Sequence, residues 1–158
     1  MNRLKTFLLL DFKTKWILAE AFIFLGWGRV LKSMPFSKVA PLIGERMAET
    51  SYSLNESNKK LLLEVSQAIQ IMSKYTLWES LCLVKALAAM KMLERRKIES
   101  TLYLGTAKDE AGNMIAHAWL RSGPFLITGA EEMNQFAVVG KFAKKMSKGD
   151  SRGDHYGE

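Results

Sequence analysis

The sequence holds one cysteine and two histidines, so few side chains in it could carry out nucleophilic chemistry. Cys82 lies in the apolar stretch from Thr76 to Leu93, where leucine, valine and alanine recur at helical spacing. A thiol near the start of a helix feels the positive end of the helix dipole, which favours the reactive thiolate. Taken alone, such a cysteine is more often a small buried side chain of the core.

His117 is the histidine that falls within a patterned region, because His155 belongs to a polar terminal segment. Imidazole titrates near neutral pH, so it can take a proton from a thiol and later return it to a leaving amine. His117 shares a strand face with Ile115 and Trp119, an apolar setting in which a histidine is more often structural. A helix cysteine followed by a strand histidine is also the order of papain-like and transglutaminase-like enzymes, although order alone is a weak signal.

Helices are predicted to precede the strand that carries His117. Asp11 is a plausible cap for a helix that runs to Lys32, and a short helix or turn covers residues 37–42. A polar loop at residues 50–58 leads into a helix with an apolar stripe between Leu61 and Met72. The cysteine helix is expected to begin between the possible caps Thr76 and Ser80, and its apolar sides predict that other elements surround it. The helix from Asp11 shows more apolar surface than one neighbouring helix would cover, so it either packs within the domain or meets a partner protein or a membrane surface.

The sequence pattern changes after residue 98 from helical to alternating. Residues 100–107 and 114–121 alternate as strands do and are joined by the turn cluster KDEAGN. Residues 125–128 are a third strand and residues 136–142 a candidate fourth. The predicted fold is α+β: N-terminal helices, then a buried cysteine helix packed on a small antiparallel sheet. One domain spans residues 1–143, with a helical part (1–74) and a cysteine helix plus sheet (75–143), and residues 144–158 are expected to form a disordered tail.

Composition limits the other possibilities. A chain of 158 residues with 48% hydrophobic side chains suits one packed domain. A single cysteine excludes an internal disulfide framework and favours a reducing compartment, so we expect a cytoplasmic protein. Lys13, Lys15 and Glu20 interrupt the apolar N-terminal residues well before a membrane span, and no signal-peptide cleavage site follows. The formal charge of +7 is not arranged as a basic run interleaved with aromatic residues, which argues against nucleic-acid binding.

The sequence around Cys82 and His117 is a more specific signal than the order in which the two residues occur. The segments CLVKALAAMKMLERRKIESTLYLGTA and AHAWLRSGPFLITG resemble the leader peptidase family of lasso peptide biosynthesis, which are transglutaminase-like cysteine proteases. The family pattern is a cysteine helix with a leucine-rich, basic end, a strand that ends in glycine and an AHAW-type strand. The resemblance extends upstream through the MPF and APLIG segments at residues 34–44, so it covers nearly the whole chain except the tail.

This resemblance implies a role for each matching residue. Cys82 would be the nucleophile and His117 the general base and acid, while Trp119 would help to shape the site. Trp78, which precedes Cys82 in the same stretch, is a further candidate for substrate binding. Family members usually place an aspartate about a dozen residues after the histidine to orient the imidazole. Here Thr128 and Gly129 occupy that region, and no aspartate occurs between Asp109 and Asp150. The first choice for the orienting group is Glu131, and the alternatives are Glu132, the Thr128 hydroxyl or a backbone carbonyl.

The resemblance also implies partners. Single-chain family members carry an additional leader-recognition domain, whereas this sequence resembles the split form, in which that domain is a separate protein. The implied function is removal of the leader from a ribosomally made lasso precursor peptide, with the recognition protein and the lasso cyclase as partners and no metal or cofactor. The helix from Asp11 would be a candidate docking surface. The alternatives are an acyl transferase that uses the same pair of residues and a non-catalytic scaffold in a peptide-maturation complex.

Overall fold

The structure is a computed structural model that describes residues 3–78 and 80–146. Five helices are described: α1 Arg3–Leu9, α2 Phe12–Lys32, α3 Phe36–Ile43, α4 Glu56–Met72 and α5 Cys82–Arg95. Five strands form one sheet: β1 Glu45–Arg46, β2 Ser100–Lys108, β3 Met114–Ser122, β4 Phe125–Thr128 and β5 Ala137–Lys144. The strand order is β1-β5-β2-β3-β4, and every neighbouring pair is antiparallel. The predicted α+β class is therefore confirmed.

Helix α2 begins where the sequence predicts, and it buries only part of its apolar surface in the core. The Asp11 carboxylate accepts a hydrogen bond from the Thr14 amide at 3.2 Å, which caps the helix start. The buried face carries small and aliphatic residues, and Gly28 lets the backbone approach α5 so closely that an added Cβ would lie 2.9 Å from a Val84 oxygen. Other apolar side chains of α2 remain exposed, with Phe12 at 81%, Trp16 at 60% and Ile23 at 65%.

Helix α5 is the centre of the hydrophobic core, as its apolar sides predict. Val84, Ala88 and Met92 are fully buried, and α2, α4 and the sheet all pack around the helix. Its start differs from the prediction, because the first helical residue is Cys82 and not a residue between Thr76 and Ser80. The Thr76 hydroxyl instead bonds within the preceding loop, at 2.8 Å from the Ser80 hydroxyl, so it is not available as a helix cap.

Strands β2 and β3 form the predicted hairpin. The Asp109 carboxylate accepts hydrogen bonds from the amides of Ala111 at 3.0 Å and Asn113 at 2.8 Å, which stabilises the turn between the strands. The register places Gly105 opposite His117. An added Cβ at Gly105 would lie 2.8 Å from the Trp119 ring, so the absence of a side chain there makes room for the indole beside His117.

The last strand extends beyond its predicted end. Strand β5 runs to Lys144, whose Nζ donates to the Leu42 carbonyl at 3.1 Å, and the Met146 amide donates to Glu99 at 3.2 Å. Residues 147–158, the rest of the predicted tail, lie outside the described residues. Among the residues that are described, no helix is both long enough and apolar enough to cross a bilayer.

Candidate functional site

Cys82 and His117 open onto the same cavity, which has a volume of about 530 Å³. It lies between α4, the start of α5, β3 and the segment that follows β4. The other polar or charged side chains on its walls are Ser66, Gln70, Ser80, Lys85, Thr128, Glu131 and Glu132. A second cavity, of about 360 Å³, has neither a cysteine nor a histidine in its lining. The larger cavity is therefore the candidate active site.

Cys82 is placed at the first turn of α5, where the backbone amides are not used by the helix. The first intrahelical bond runs from the Lys85 amide to the Leu81 carbonyl at 3.0 Å. The amides of Cys82, Leu83 and Val84 therefore have no acceptor within the helix. Leu81, the N-cap residue, has no polar side chain to cap them. This arrangement presents N–H donors and the positive end of the helix dipole beside the thiol.

His117 is held in one orientation by a hydrogen bond and two aromatic neighbours. Its Nε2 lies 2.9 Å from the carbonyl oxygen of Gly129. A carbonyl can only accept, so Nε2 carries the proton in this contact and Nδ1 is the unprotonated atom of the neutral ring. The ring also stacks on Trp119 at 5.8 Å and packs against Phe136 at 5.0 Å, measured between ring centroids. His117 is thus prepared to accept a proton at Nδ1.

The contact from Gly129 replaces the one expected from Glu131. Gly129 has φ of +75°, and an added Cβ would lie 2.5 Å from the Ala118 carbonyl oxygen, so only glycine fits this position without strain. Glu131 and Glu132 are exposed on the cavity wall, and within the described residues neither of them bonds to His117. The backbone carbonyl, one of the alternatives, orients the imidazole, although it brings no formal charge to the ring.

The two tryptophans expected at the site lie behind it or away from it. Trp119 is buried and stacks on Tyr103 at 5.6 Å with an interplanar angle of 9°, so it supports the His117 ring from within the protein. Trp78 packs against Phe22 at 5.3 Å between ring centroids and lies on the surface of α2. Neither tryptophan lines the cavity. Because the loop before α5 is not helical, it turns Trp78 back onto α2, and this placement does not support a role in substrate binding.

A polar network with Tyr103 and Arg121 at its buried centre supports the aromatic stack. The Tyr103 hydroxyl donates to Glu49 at 2.6 Å, and the Arg121 Nε donates to the Tyr103 oxygen at 3.0 Å. Burial, followed by the hydrogen bond to Glu49, raises the pKa of Tyr103 well above its usual value, so the phenol stays protonated. The guanidinium of Arg121 also donates to the carbonyls of Thr50 and Gly123. This network attaches the segment around residue 50 to the strands that position His117, and nothing in the sequence pattern identified it.

Lys85 is a cavity residue that the sequence could have revealed. It lies three residues after Cys82, which puts the two side chains on the same helical face, and it lines the same cavity. Its ammonium would lie near negative charge that develops on the sulfur or the substrate. Over residues 3–78 and 80–146, no group of three or more His, Cys, Asp or Glu side chains is placed to hold a metal ion.

Within the part of the chain that the structure describes, no direct hydrogen bond joins the Cys82 thiol and the His117 imidazole. Such contacts are often longer in enzymes without substrate and tighten when the substrate binds. Cys82, at the uncapped start of α5, and His117 nonetheless line one cavity, which suits acyl transfer through a thioester.

Comparison with known proteins agrees with this reaction class. A sequence model of the transglutaminase-like superfamily matches residues 31–141, which is well over half of the chain and includes the cysteine helix and the histidine strand. No curated protein and no solved structure gave a significant match. The domain suggests an activity of the cysteine protease or acyltransferase type. The chain therefore belongs to the transglutaminase-like superfamily.

Proposed function

We propose that this protein is a cysteine protease that removes the leader from a lasso peptide precursor, acting with a separate leader-recognition protein. The observation that carries the proposal is the shared cavity of Cys82 and His117 at the uncapped start of α5. The choice of substrate is supported by the resemblance of the segments around both residues to the lasso leader peptidases.

In the proposed first step, Cys82 and His117 act together across the cavity that both of them line. Cys82 Sγ attacks the carbonyl carbon at the leader–core junction, and the thiol proton passes to His117 Nδ1. The carbonyl oxygen becomes an oxyanion, which the amides of Cys82 and Leu83 can stabilise because the helix does not use them. The Gly129 carbonyl keeps the imidazole oriented through Nε2 during this step.

The second half of the reaction uses the same residues in reverse. His117 gives its proton to the departing amine, which becomes the free amino terminus of the core, and the leader remains on Cys82 as a thioester. Water then attacks the thioester, with His117 Nδ1 as the base, and releases the leader carboxylate and the thiol. The freed amino terminus is the group that a lasso cyclase would join to a side-chain carboxylate.

The exposed side of the N-terminal helices supports the proposal of a protein partner. Leu9 is 86% exposed, Phe12 81% and Trp16 60%, and they form an apolar surface along α1 and α2. Surfaces of this kind commonly mark protein contacts. We assign this surface to docking of the leader-recognition protein, with the cyclase as the alternative partner.

The test incubates the precursor peptide and the recognition protein with wild type, Cys82→Ala or His117→Ala and follows the products by mass spectrometry. We expect each substitution to lower leader release by about 10⁴-fold or more while the melting temperature stays close to that of wild type. Cleavage by Cys82→Ala at the wild-type rate would rule out the proposal. A leader joined to an added amine in place of a free carboxylate would identify an acyl transferase.

A further inference from the structure

An apolar groove of about 170 Å³ lies beside the candidate active site, between α4 and β4. Its walls are Leu62, Leu63, Phe125, Leu126 and Ile127, with Lys59 and Ser66 as its polar residues. Three residues line both the groove and the catalytic cavity: Ser66, Leu126 and Ile127. The groove and the cavity are therefore adjacent, and these three residues form the wall that they share.

We propose that this groove is a subsite for one bulky apolar side chain of the peptide whose scissile bond lies at Cys82. This inference rests on the proposed peptidase function. The groove is several times larger than the roughly 30 Å³ that a water molecule occupies, which suits a single aliphatic or aromatic side chain. Leu63, in the wall of the groove, is 59% exposed, so a ligand side chain bound in the groove would remove apolar surface from water.

A hydrogen bond between α4 and β4 gives the groove a defined shape. The Ser66 hydroxyl donates to the Ile127 carbonyl at 2.7 Å. The register of β4 against β3 shifts between Leu120 and Arg121, which leaves Ile127 outside the regular pairing. The serine bond supplies the partner that the irregular strand would otherwise lack and connects the two walls of the groove.

The order of residues along one segment gives the direction of the bound peptide. The groove lies at Phe125 to Ile127, the carbonyl that holds His117 follows at Gly129, and the exposed carboxylates of Glu131 and Glu132 lie beyond it. The departing core amine becomes an ammonium, which the two carboxylates favour. The core therefore leaves toward the glutamates, and the groove receives a leader side chain within a few residues of the scissile bond.

The experiment compares Leu63→Gln with Ile71→Gln, a matched control. Both residues are exposed on α4, at 59% and 45%, but Ile71 does not line the groove. The probes are acetylated octapeptides spanning the leader–core junction, with leucine or serine at each of the four positions before the scissile bond. At one position we expect wild type and Ile71→Gln to prefer leucine by about tenfold in kcat/KM, and Leu63→Gln to prefer it by less than about threefold. An unchanged preference in Leu63→Gln would overturn the subsite.

A binding measurement separates this inference from the peptidase function. The same peptides are added to Cys82→Ala protein, and the methyl signals of Leu63, Leu126 and Ile127 are followed by NMR. Leucine peptides are expected to shift these signals and to bind about tenfold more tightly than serine peptides. If Cys82→Ala still cleaves, the peptidase proposal fails and the binding preference decides the subsite by itself. Equal binding of both peptide series would refute the subsite even if cleavage depends on Cys82.

Discussion

The two ends of helix α5 are built in opposite ways. At its start, the N-cap residue Leu81 makes no side-chain hydrogen bond, and Leu81 and Cys82 line the candidate active site. At its end, Arg96 forms an ion pair with the buried Glu20 at 2.7 Å, and Arg95 contacts the same carboxylate at 3.1 Å. The difference shows how one helix serves two needs. The start is left without a side-chain cap at the candidate active site, while contacts at the other end and along the buried middle stabilise the helix.

The largest expected effect on stability comes from breaking the ion pairs between Glu20 and the two arginines at the end of α5. Glu20 is only 4% exposed, and Glu20→Gln removes the carboxylate that pairs with the guanidinium groups of Arg95 and Arg96. We expect the free energy of unfolding to fall by about 3 kcal/mol, because the buried Glu20 position loses the charge that pairs with Arg96 and with the half-exposed Arg95. Urea denaturation measures the change.

The control for this substitution is Glu45→Gln, whose pair with Lys145 is half exposed and should contribute less than about 1 kcal/mol. Cleavage per folded molecule should stay at the wild-type level in both variants. A similar loss of stability in the two variants would show that the ion pairs of Glu20 contribute no more than the exposed pair of Glu45 with Lys145.

The next effect concerns Gly129, which lines the same cavity as Cys82 and whose carbonyl orients His117. Gly129→Ala forces a Cβ to within 2.5 Å of the Ala118 carbonyl at a φ of +75°. We expect a cost of about 1–3 kcal/mol in stability, together with a loss of cleavage activity, because the carbonyl that orients His117 must move.

Gly112→Ala is the matched control, since Gly112 also has a positive φ of +83° but an added Cβ would meet nothing within 4 Å. It should lose some stability and retain full activity. If Gly129→Ala is as active as Gly112→Ala, the Gly129 carbonyl does not position the base.

A side-chain cap added at the start of α5 should increase the stability of the fold and decrease its activity. In Leu81→Asp, the new carboxylate can accept bonds from the amides at the helix start, which should stabilise the fold by about 1 kcal/mol. The same bonds would occupy donors that we assign to the oxyanion, so we expect cleavage to fall by about tenfold or more. Thermal unfolding and peptide cleavage measured on the same sample test both parts.

Leu77→Asp serves as the control, because it adds the same charge at a position that is 97% exposed in the loop before α5. It should leave both quantities nearly unchanged. Higher activity in Leu81→Asp would contradict the assignment of these amides to the oxyanion.

The smallest effect lies away from both ends of α5, at Glu49. The hydrogen bond from Tyr103 lowers the pKa of this carboxyl below its usual value of 4.5. A lowered pKa means that Glu49 stabilises the folded protein above about pH 4.5 and that this contribution disappears as the pH falls through the lowered pKa. Solvent exposure limits the effect to less than about 1 kcal/mol.

Comparison of wild type with Glu49→Gln by urea denaturation between pH 3 and pH 7 tests this expectation, about the range over which carboxylates titrate. The two proteins should differ slightly at neutral pH and converge in acid. A difference that grows as the pH falls would have the wrong sign for a lowered pKa.

Local patterns in the sequence were enough to predict much of the fold. Asp11 caps α2 through the amide three residues later, and Asp109 organises the β2–β3 turn through residues within four positions of it. Strand alternation predicted the hairpin that carries His117. These features depend on neighbours along the chain, and for that reason they can be predicted without the tertiary structure.

The tertiary structure decided the features that depend on distant contacts. Gly129 supplies the carbonyl to His117 because β4 packs beside β3, and a backbone carbonyl leaves no trace in side-chain identity. The start of α5 at Cys82 follows from the loop bonds of the Thr76 hydroxyl, which compete with its use as a helix cap. The sequence by itself determined which residues can do chemistry, while packing decided which groups orient them, because those contacts join segments that only the folded chain brings together.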